Sequence, residues 1–498
     1  MIVLLAILSV AAEWLIYIPG FWAQRVWYVG MPVVLVSFSS TALLMNDLSP
    51  ATVICAGIAL FRLVNLFRIA YARMHENYLL QKTRRTGFIL GSVYLIALFI
   101  VQNFAFSIQG VAKWLPWLQV LAAAAMLFFV VENLLKSRFV KSTEGIPDAD
   151  LPTVTVAIPA RNETPELQQC LQSIIDNDYP KLEILVLDDC SHDRTPEIIR
   201  SFAHDGVRFV KGVEPQEHWL ARNQAYEKLL QESTGEFVMF CGVDTRLDKT
   251  SIRTLVLSLV EGNFEMVSVW PIRNNPQRTV LLLFQVLRAW WEFGLPRSRF
   301  GRQPVSSACW IVNRETLMRL GGFKSVRHTI LLEAYFAREL AKAGKYSFLR
   351  ANHKLGISEA KNANSIFESA IRTRYPQLRR RLEMSVIVAF LEFVFFILPF
   401  IVLAATLMHE QRPVPIIPSM VTIVLLLITH ALIHATTSKI SIKTIIMLLS
   451  LPISALIDIG IIFISTYKFE FSTIEWKGRN ICIPVMHVVP TLPRISDK

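Results

Sequence analysis

Charge is scarce in this sequence. Of 498 residues only 18% are charged while 53% are hydrophobic, and the mean hydropathy is +0.42. A soluble domain of this length carries more charge than that, so the composition excludes one and leaves a membrane protein. Cysteine is scarce too, with six residues and no CxxC pair. That excludes a disulfide frame and a zinc site. The first apolar run lacks a basic leader, contains Glu13 and shows no small-residue cleavage site followed by polar sequence, so it does not read as a removable signal.

Apolar runs of bilayer length, about 17 to 25 residues, are plentiful. They lie near 2–18, 26–44, 87–106 and 114–135, and again near 384–408, 415–435 and 442–467. The stretch 51–69 is also apolar but carries Arg62, Asn65 and Arg68, and reads as a further span or as an interfacial helix. The chain thus divides into an amino-terminal bundle of about five spans over 1–136, a polar block at 137–383, about three spans over 384–467 and a tail at 468–498. Lys136, Arg138 and Lys141 flank the block on entry, and Arg372, Arg374, Arg379, Arg380 and Arg381 on exit. The positive-inside rule makes it a cytoplasmic domain of a multi-pass protein in the cell membrane. The net charge of +12 reads as topology and as contact with anionic head groups or substrates. Nucleic acid is not the expected partner, because the basic residues cluster at membrane borders. The span count leaves one conflict. Five spans and then three put 476–479 outside, whereas Lys468, Lys477 and Arg479 favour the cytoplasm.

Within the polar block, short β-branched runs alternate with helical spacing. TVTVAIPA at 153–160, LEILVLDD at 182–189 and VRFVKG at 207–212 read as strands of a parallel sheet buried on both faces. Open sheets of this kind bind ligands beyond the carboxyl ends of their strands, where Asp188, Asp189 and Asp244 fall. Each has a plainer reading as an Asx turn or helix cap, as do Asp193 and Thr195. Taken jointly the carboxylates suit a nucleotide sugar, whose diphosphate is bridged to protein carboxylate by a divalent cation. The stretch 279–296, with Trp290 and Trp291, reads as an interfacial amphipathic helix or as a buried core helix.

Several motifs resemble those of the membrane-bound family 2 glycosyltransferases, whose catalytic domain has the GT-A fold. IPARNE at 158–163 is similar to the first-strand motif of that family, and DDCSHDRT at 188–195 to its nucleotide-binding DDxSxDxT. GVDT at 242–245 stands at its DxD, NRETLMRLGGF at 313–323 resembles its acceptor-side segment, and the likeness runs from about 152 to 381. WLARNQA at 219–225, RTRYPQLRRR at 372–381 and WKGR at 476–479 are similar to segments of the hopene-associated, lipid-directed members. The implied architecture is an α/β GT-A domain inserted between two transmembrane helical bundles.

The resemblance also implies roles for residues. Pro159, Arg161, Glu163, Asp188, Asp189, Arg222, Asp244, Gln377 and Arg380 would bind the sugar nucleotide, with Asp244 the ligand of Mg2+ or Mn2+ and Glu333 the catalytic base. Two positions depart from the pattern: Gly242 replaces the first aspartate of the DxD, and Leu332-Glu333 replaces an acidic pair. The implied reaction is an inverting displacement by the hydroxyl of a lipid or lipid-linked acceptor. A processive polysaccharide synthase and a catalytically lapsed membrane scaffold are the alternatives.

Overall fold

A computed structural model describes residues 2–17, 29–46, 50–74, 80–103, 108–137, 147–217, 219–273, 289–294, 303–361, 363–408, 416–435, 450–471, 474–477 and 479–480. Five helices precede the polar block: α1 (Ile2–Tyr17), α2 (Gly30–Asn46), α3 (Pro50–Met74), α4 (Leu80–Asn103) and α5 (Ile108–Lys136). The block itself opens on β1 (Val154–Ala160), α6 (Thr164–Ile175), β2 (Leu182–Asp188), α7 (Thr195–Ser201), β3 (Val207–Lys211), α8 (Ala221–Glu232) and β4 (Phe237–Cys241). It continues through β5 (Thr245–Leu247), α9 (Ser251–Glu261), β6 (Met266–Trp270), β7 (Ile272–Arg273), β8 (Cys309–Asn313) and α10 (Arg314–Arg319). α11 (Leu332–Lys342), β9 (Tyr346–Arg350), β10 (Ile357–Glu359) and α12 (Ala363–Gln377) complete it.

Seven strands form one sheet in the order β3-β2-β1-β4-β8-β6-β9. The first four are parallel, as the sequence predicts, but β8 runs antiparallel to both of its neighbours. The sheet is therefore mixed, a GT-A-like α/β arrangement. Strand periodicity explains how both faces are buried: Met239 and Ile311 enter one apolar cluster, while Phe240 and Trp310 beside them enter the other. In the second cluster Phe240 stacks on Trp310 with centroids 4.5 Å apart, and Tyr226, Phe323 and Phe336 pack around them. Phe323 gets there by way of a turn that only glycine suits. Gly321 and Gly322 take φ of +90° and +57°, and the Phe323 amide then donates to Glu227 Oε2 at 2.9 Å. This packing fixes α8 and α11, which carry Arg222 and Glu333.

After the block come α13 (Leu382–Glu392), a π-helical segment (Phe393–Ile397), α14 (Leu398–Met408), α15 (Ile416–His434) and α16 (Leu451–Phe471). Among the described residues five helical stretches are long and apolar enough to cross a membrane: Thr52–Tyr71, Trp114–Lys136, Leu382–Leu407, Ile416–His434 and Leu451–Glu470. Leu4–Ile16, Gly30–Met45 and Thr86–Leu98 are apolar but shorter. The start of the expected 442–467 run lies outside the described residues.

α13 and α16 run antiparallel. The Ser385 and Thr466 hydroxyls are 3.0 Å apart, Arg374 Nη2 reaches Glu392 at 2.6 Å and also Asp458, and Phe396 shares a cluster with Leu451 and Ala455. Trp270 and Phe348 of the sheet belong to that same cluster, so the polar block rests on these helices. Of the 279–296 stretch only 289–294 is described. There Trp290 is buried, packing on Phe396 at 4.8 Å and donating through Nε1 to His430 Nδ1 at 3.2 Å. In this part of the stretch the buried alternative applies to Trp290, because protein elements cover the indole.

Candidate active site

A cleft of about 190 Å³ opens at the carboxyl ends of β1 and β4. Pro159 and Glu163 line it from β1 and its loop, Gly242 and Asp244 from the turn after β4, Arg222 from α8 and Glu333 from the first turn of α11. Glu359 at the end of β10, Lys361 after it, and Glu368 and Arg372 on α12 add further charged groups to the lining, as does Lys477. The separate motifs of the sequence thus meet because each ends a strand or begins a helix on the same edge of the sheet.

Glu333 is almost fully buried and its Oε1 accepts from Arg222 Nη2 at 2.7 Å. The same Nη2 donates to the Tyr226 hydroxyl at 3.0 Å. Arg222 therefore grips the candidate base directly; the sequence pairs it instead with the diphosphate. Asp244 faces the cleft with a quarter of its side chain exposed, and Lys361 Nζ lies 3.9 Å from its Oδ2. Burial raises the Asp244 carboxyl above its ordinary value, Lys361 opposes that, and Glu359 and Glu166 add to it. Glu163 is pushed up to about 7, first by burial and further by Asp244 and Glu166, with Lys477 pulling the other way.

The remaining expected residues lie elsewhere. The Asp188 carboxylate accepts from the amide of Ser191, three residues on, at 3.2 Å, a local turn contact, and does not line the cleft. Asp193 likewise accepts from the Thr195 amide at 3.0 Å. Arg161 is buried and donates through Nη1 to the Asp189 and Cys190 carbonyls at 2.5 and 2.7 Å. Asp189 is taken by Arg479 Nη1 at 2.5 Å. Burial raises its carboxyl, and the Arg479 bond and charge oppose that. Gln377 and Arg380 do not line the cleft, and the Arg380 guanidinium sits over the Phe469 ring at 5.3 Å. Arg372, one turn and more upstream on α12, lines it in their place.

Residues the sequence reading passed over are Tyr226, Glu359, Lys361 and Glu368, together with Lys477 as a cleft residue. Lys361 follows a three-residue strand whose pairing with β5 and β7 is non-local, so no periodic signal marks it. Lys477 and Arg479 sit in the WKGR stretch and enter the sequence argument through that resemblance and through topology, without a role at the site.

Among the described residues there is no group of three or more His, Cys, Asp or Glu side chains arranged to hold a metal. Mg2+ asks less than that, since it keeps several waters and uses one or two carboxylates with substrate phosphate. Asp244, the carboxylate in the turn after β4, meets that minimum. Gly242 beside it has open space where a side chain would begin.

Residues 155–321 match the sequence model of glycosyl transferase family 2. The chain carries a family 2 glycosyltransferase domain. The domain is 28% identical over 183 residues to the probable glycosyltransferase YdaM of Bacillus subtilis, covering 35% of this chain and 43% of that protein. It is 30% identical over 112 residues to the GalNAc(5)-diNAcBac-PP-undecaprenol beta-1,3-glucosyltransferase of Campylobacter jejuni, covering 22% of this chain and 36% of that one. The chain spans less than half the length of these relatives. Among solved structures, the mannosyltransferase PcManGT from Pyrobaculum calidifontis, in complex with GDP-Man and Mn2+, aligns over 71% of this chain and 97% of its own. That alignment has a TM-score of 0.42 and 18% identity.

Proposed function

We propose that the protein is an integral-membrane glycosyltransferase, its catalytic domain cytoplasmic, that moves a sugar from a nucleotide donor to a lipid or lipid-linked acceptor with inversion. The observation that carries this is the single cleft in which Glu333, Arg222 and Asp244 meet beside a domain floor resting on apolar helices. Glu333 takes the proton from the acceptor hydroxyl while that oxygen attacks the anomeric carbon. The bond from that carbon to the diphosphate oxygen breaks on the opposite side, and the nucleoside diphosphate leaves. Arg222 orients the carboxylate, and Lys361 and Arg372 are the cations that face the leaving charge. Asp244 would hold Mg2+ or Mn2+, which supplies further neutralisation of the diphosphate when bound.

A lipid-linked acceptor is favoured by two facts. The Campylobacter jejuni relative is by its name a glucosyltransferase of an undecaprenol-linked glycan. Also, α12, which lines the cleft, packs against the apolar α16 through Tyr375 and Phe469. The hopene-associated leaning rests on the WKGR, RTRYPQLRRR and LEAYFAREL (332–340) segments. The test is nucleotide release by the purified full-length protein over a panel of sugar nucleotides with total membrane lipid supplied. Turnover that requires lipid is the expected result, and release of no nucleotide from any donor would overturn the reading.

A further inference from the structure

Lys477, in the tail beyond the last described helix, also lines the cleft. Residues 475–476 and 479–480 form a two-stranded antiparallel hairpin, and Lys477 takes a φ of +51° in its turn. The Lys477 ammonium lies 3.1 Å from Glu163 Oε2 and donates to the Asn162 carbonyl at 3.0 Å. Its own carbonyl accepts from Arg161 Nε at 3.0 Å. Two residues on, the nearly buried Arg479 bonds Asp189 at 2.5 Å and Glu214 at 2.9 Å. The hairpin is therefore tied to the loops after β1 and β2, where an open α/β sheet receives its ligand.

We propose that this hairpin is a working part of the donor site: Lys477 contacts the diphosphate of the sugar nucleotide, and Arg479 is the positioning residue that holds it there by clamping to Asp189. The proposal rests on the glycosyltransferase reading given above. Charge in the cleft supports it. Among the described residues the cations lining the cavity are Arg222, bonded to Glu333, Lys361, bonded to Glu359 at 2.5 Å, Arg372 of α12, and Lys477. Lys477 lines the same cavity as Pro159 and Glu163, with a third of its side chain exposed. An incoming diphosphate replaces Glu163 as its counter-ion. Asp189 in this view anchors the tail and does not meet the base.

The full-length wild type, K477A, K477R, R479A and the charge-swapped pair D189R/R479D are titrated with UDP and GDP by calorimetry, with uridine and guanosine in competition. K477A and R479A are expected to weaken whichever diphosphate the wild type binds by about tenfold or more, the scale of a hydrogen bond to a charged group. Nucleoside binding is expected to stay the same, K477R to restore affinity and the swapped pair to recover part of it. Diphosphate binding by K477A and R479A that equals or exceeds that of the wild type would overturn the proposal, tighter binding marking the hairpin as a plug. A loss shared equally by the nucleosides would overturn it too, as the mark of a merely structural contact. A wild type that binds neither diphosphate sinks the glycosyltransferase reading as well, which separates the two failures.

Discussion

Glu333 and Glu163 are both buried carboxylates on the cleft, and their surroundings give them different tasks. Glu333 has a guanidinium on one oxygen at 2.7 Å and sits at the amino end of α11, fixed for a proton transfer. Glu333→Gln keeps the shape and the contact with Arg222 but cannot take a proton. It is expected to lower the chemical rate by at least about 10²-fold with donor binding retained, as read by single-turnover kinetics. Glu163 is a carboxyl that folding makes reluctant to ionise. Its ordinary value of 4.5 describes the unfolded chain, and the folded value is about 7. Between the two the folded protein holds a proton that the unfolded chain has lost, so stability falls as pH rises across that window. Melting curves of the wild type from about pH 4.5 to about pH 7 are expected to show that decline, and Glu163→Gln to flatten it.

At the scale of elements, the domain is pinned to its helices by one buried cation. Arg374 on α12 meets Glu392 of α13 at 2.6 Å and Asp458 of α16, and its guanidinium lies over the Trp291 ring at 5.1 Å. Removing it leaves two carboxylates facing each other without their counter-ion. Arg374→Ala is expected to destabilise the folded protein by about 3 to 5 kcal/mol, the cost of breaking a buried pair from one side, measured by denaturation in detergent. The Arg374 contact was not legible in the sequence, where the arginines before an apolar run carry only a topological signal. What was legible follows local periodicity: β1, β2 and β3 are short apolar runs ended by turn residues, and their order in the sheet follows from parallel connections. The insertion of β8 between β4 and β6 depends on pairing across a long connection, which no short pattern records. The site divides the same way. Glu333, Arg222 and Asp244 could be named from motifs, but the grip of Arg222 on Glu333 joins α8 to α11 over 111 residues and needs the fold to reveal it.

For the molecule as a whole, the tail constrains the path of the chain. Lys477 and Arg479 touch the loops after β1 and β2, so residue 474 lies on the same side as the catalytic domain. The chain leaves that domain at 382, and an even number of crossings must separate the two points, whereas three apolar runs imply an odd one. α16 is the element that resolves this. Its first residues share a cluster with Trp270 and Phe348 of the sheet, its middle meets Arg374, and at its end Glu470 bonds Arg68 at 2.7 Å while Phe469 packs on Tyr375. A helix of 21 residues touching the domain block at both ends lies along it, with no need to lead away from it. Ile453, Leu456, Phe463 and Tyr467 are exposed at helical spacing while Asp458, Ser465, Thr466 and Glu470 are buried, so the polar side of the helix packs on protein and an apolar side faces outward. We predict that α13 with α14, and then α15, are the outward and returning crossings and that α16 does not cross; His430 near the end of α15 meets Trp290 of the domain. A protease-cleavable epitope placed after Lys498 and another in the exposed turn at 203–205 are therefore expected to be cut from the same face of sealed, oriented vesicles. Cleavage of the two from opposite faces would mean that α16 crosses the bilayer and that the hairpin cannot reach the cleft in the membrane-embedded protein.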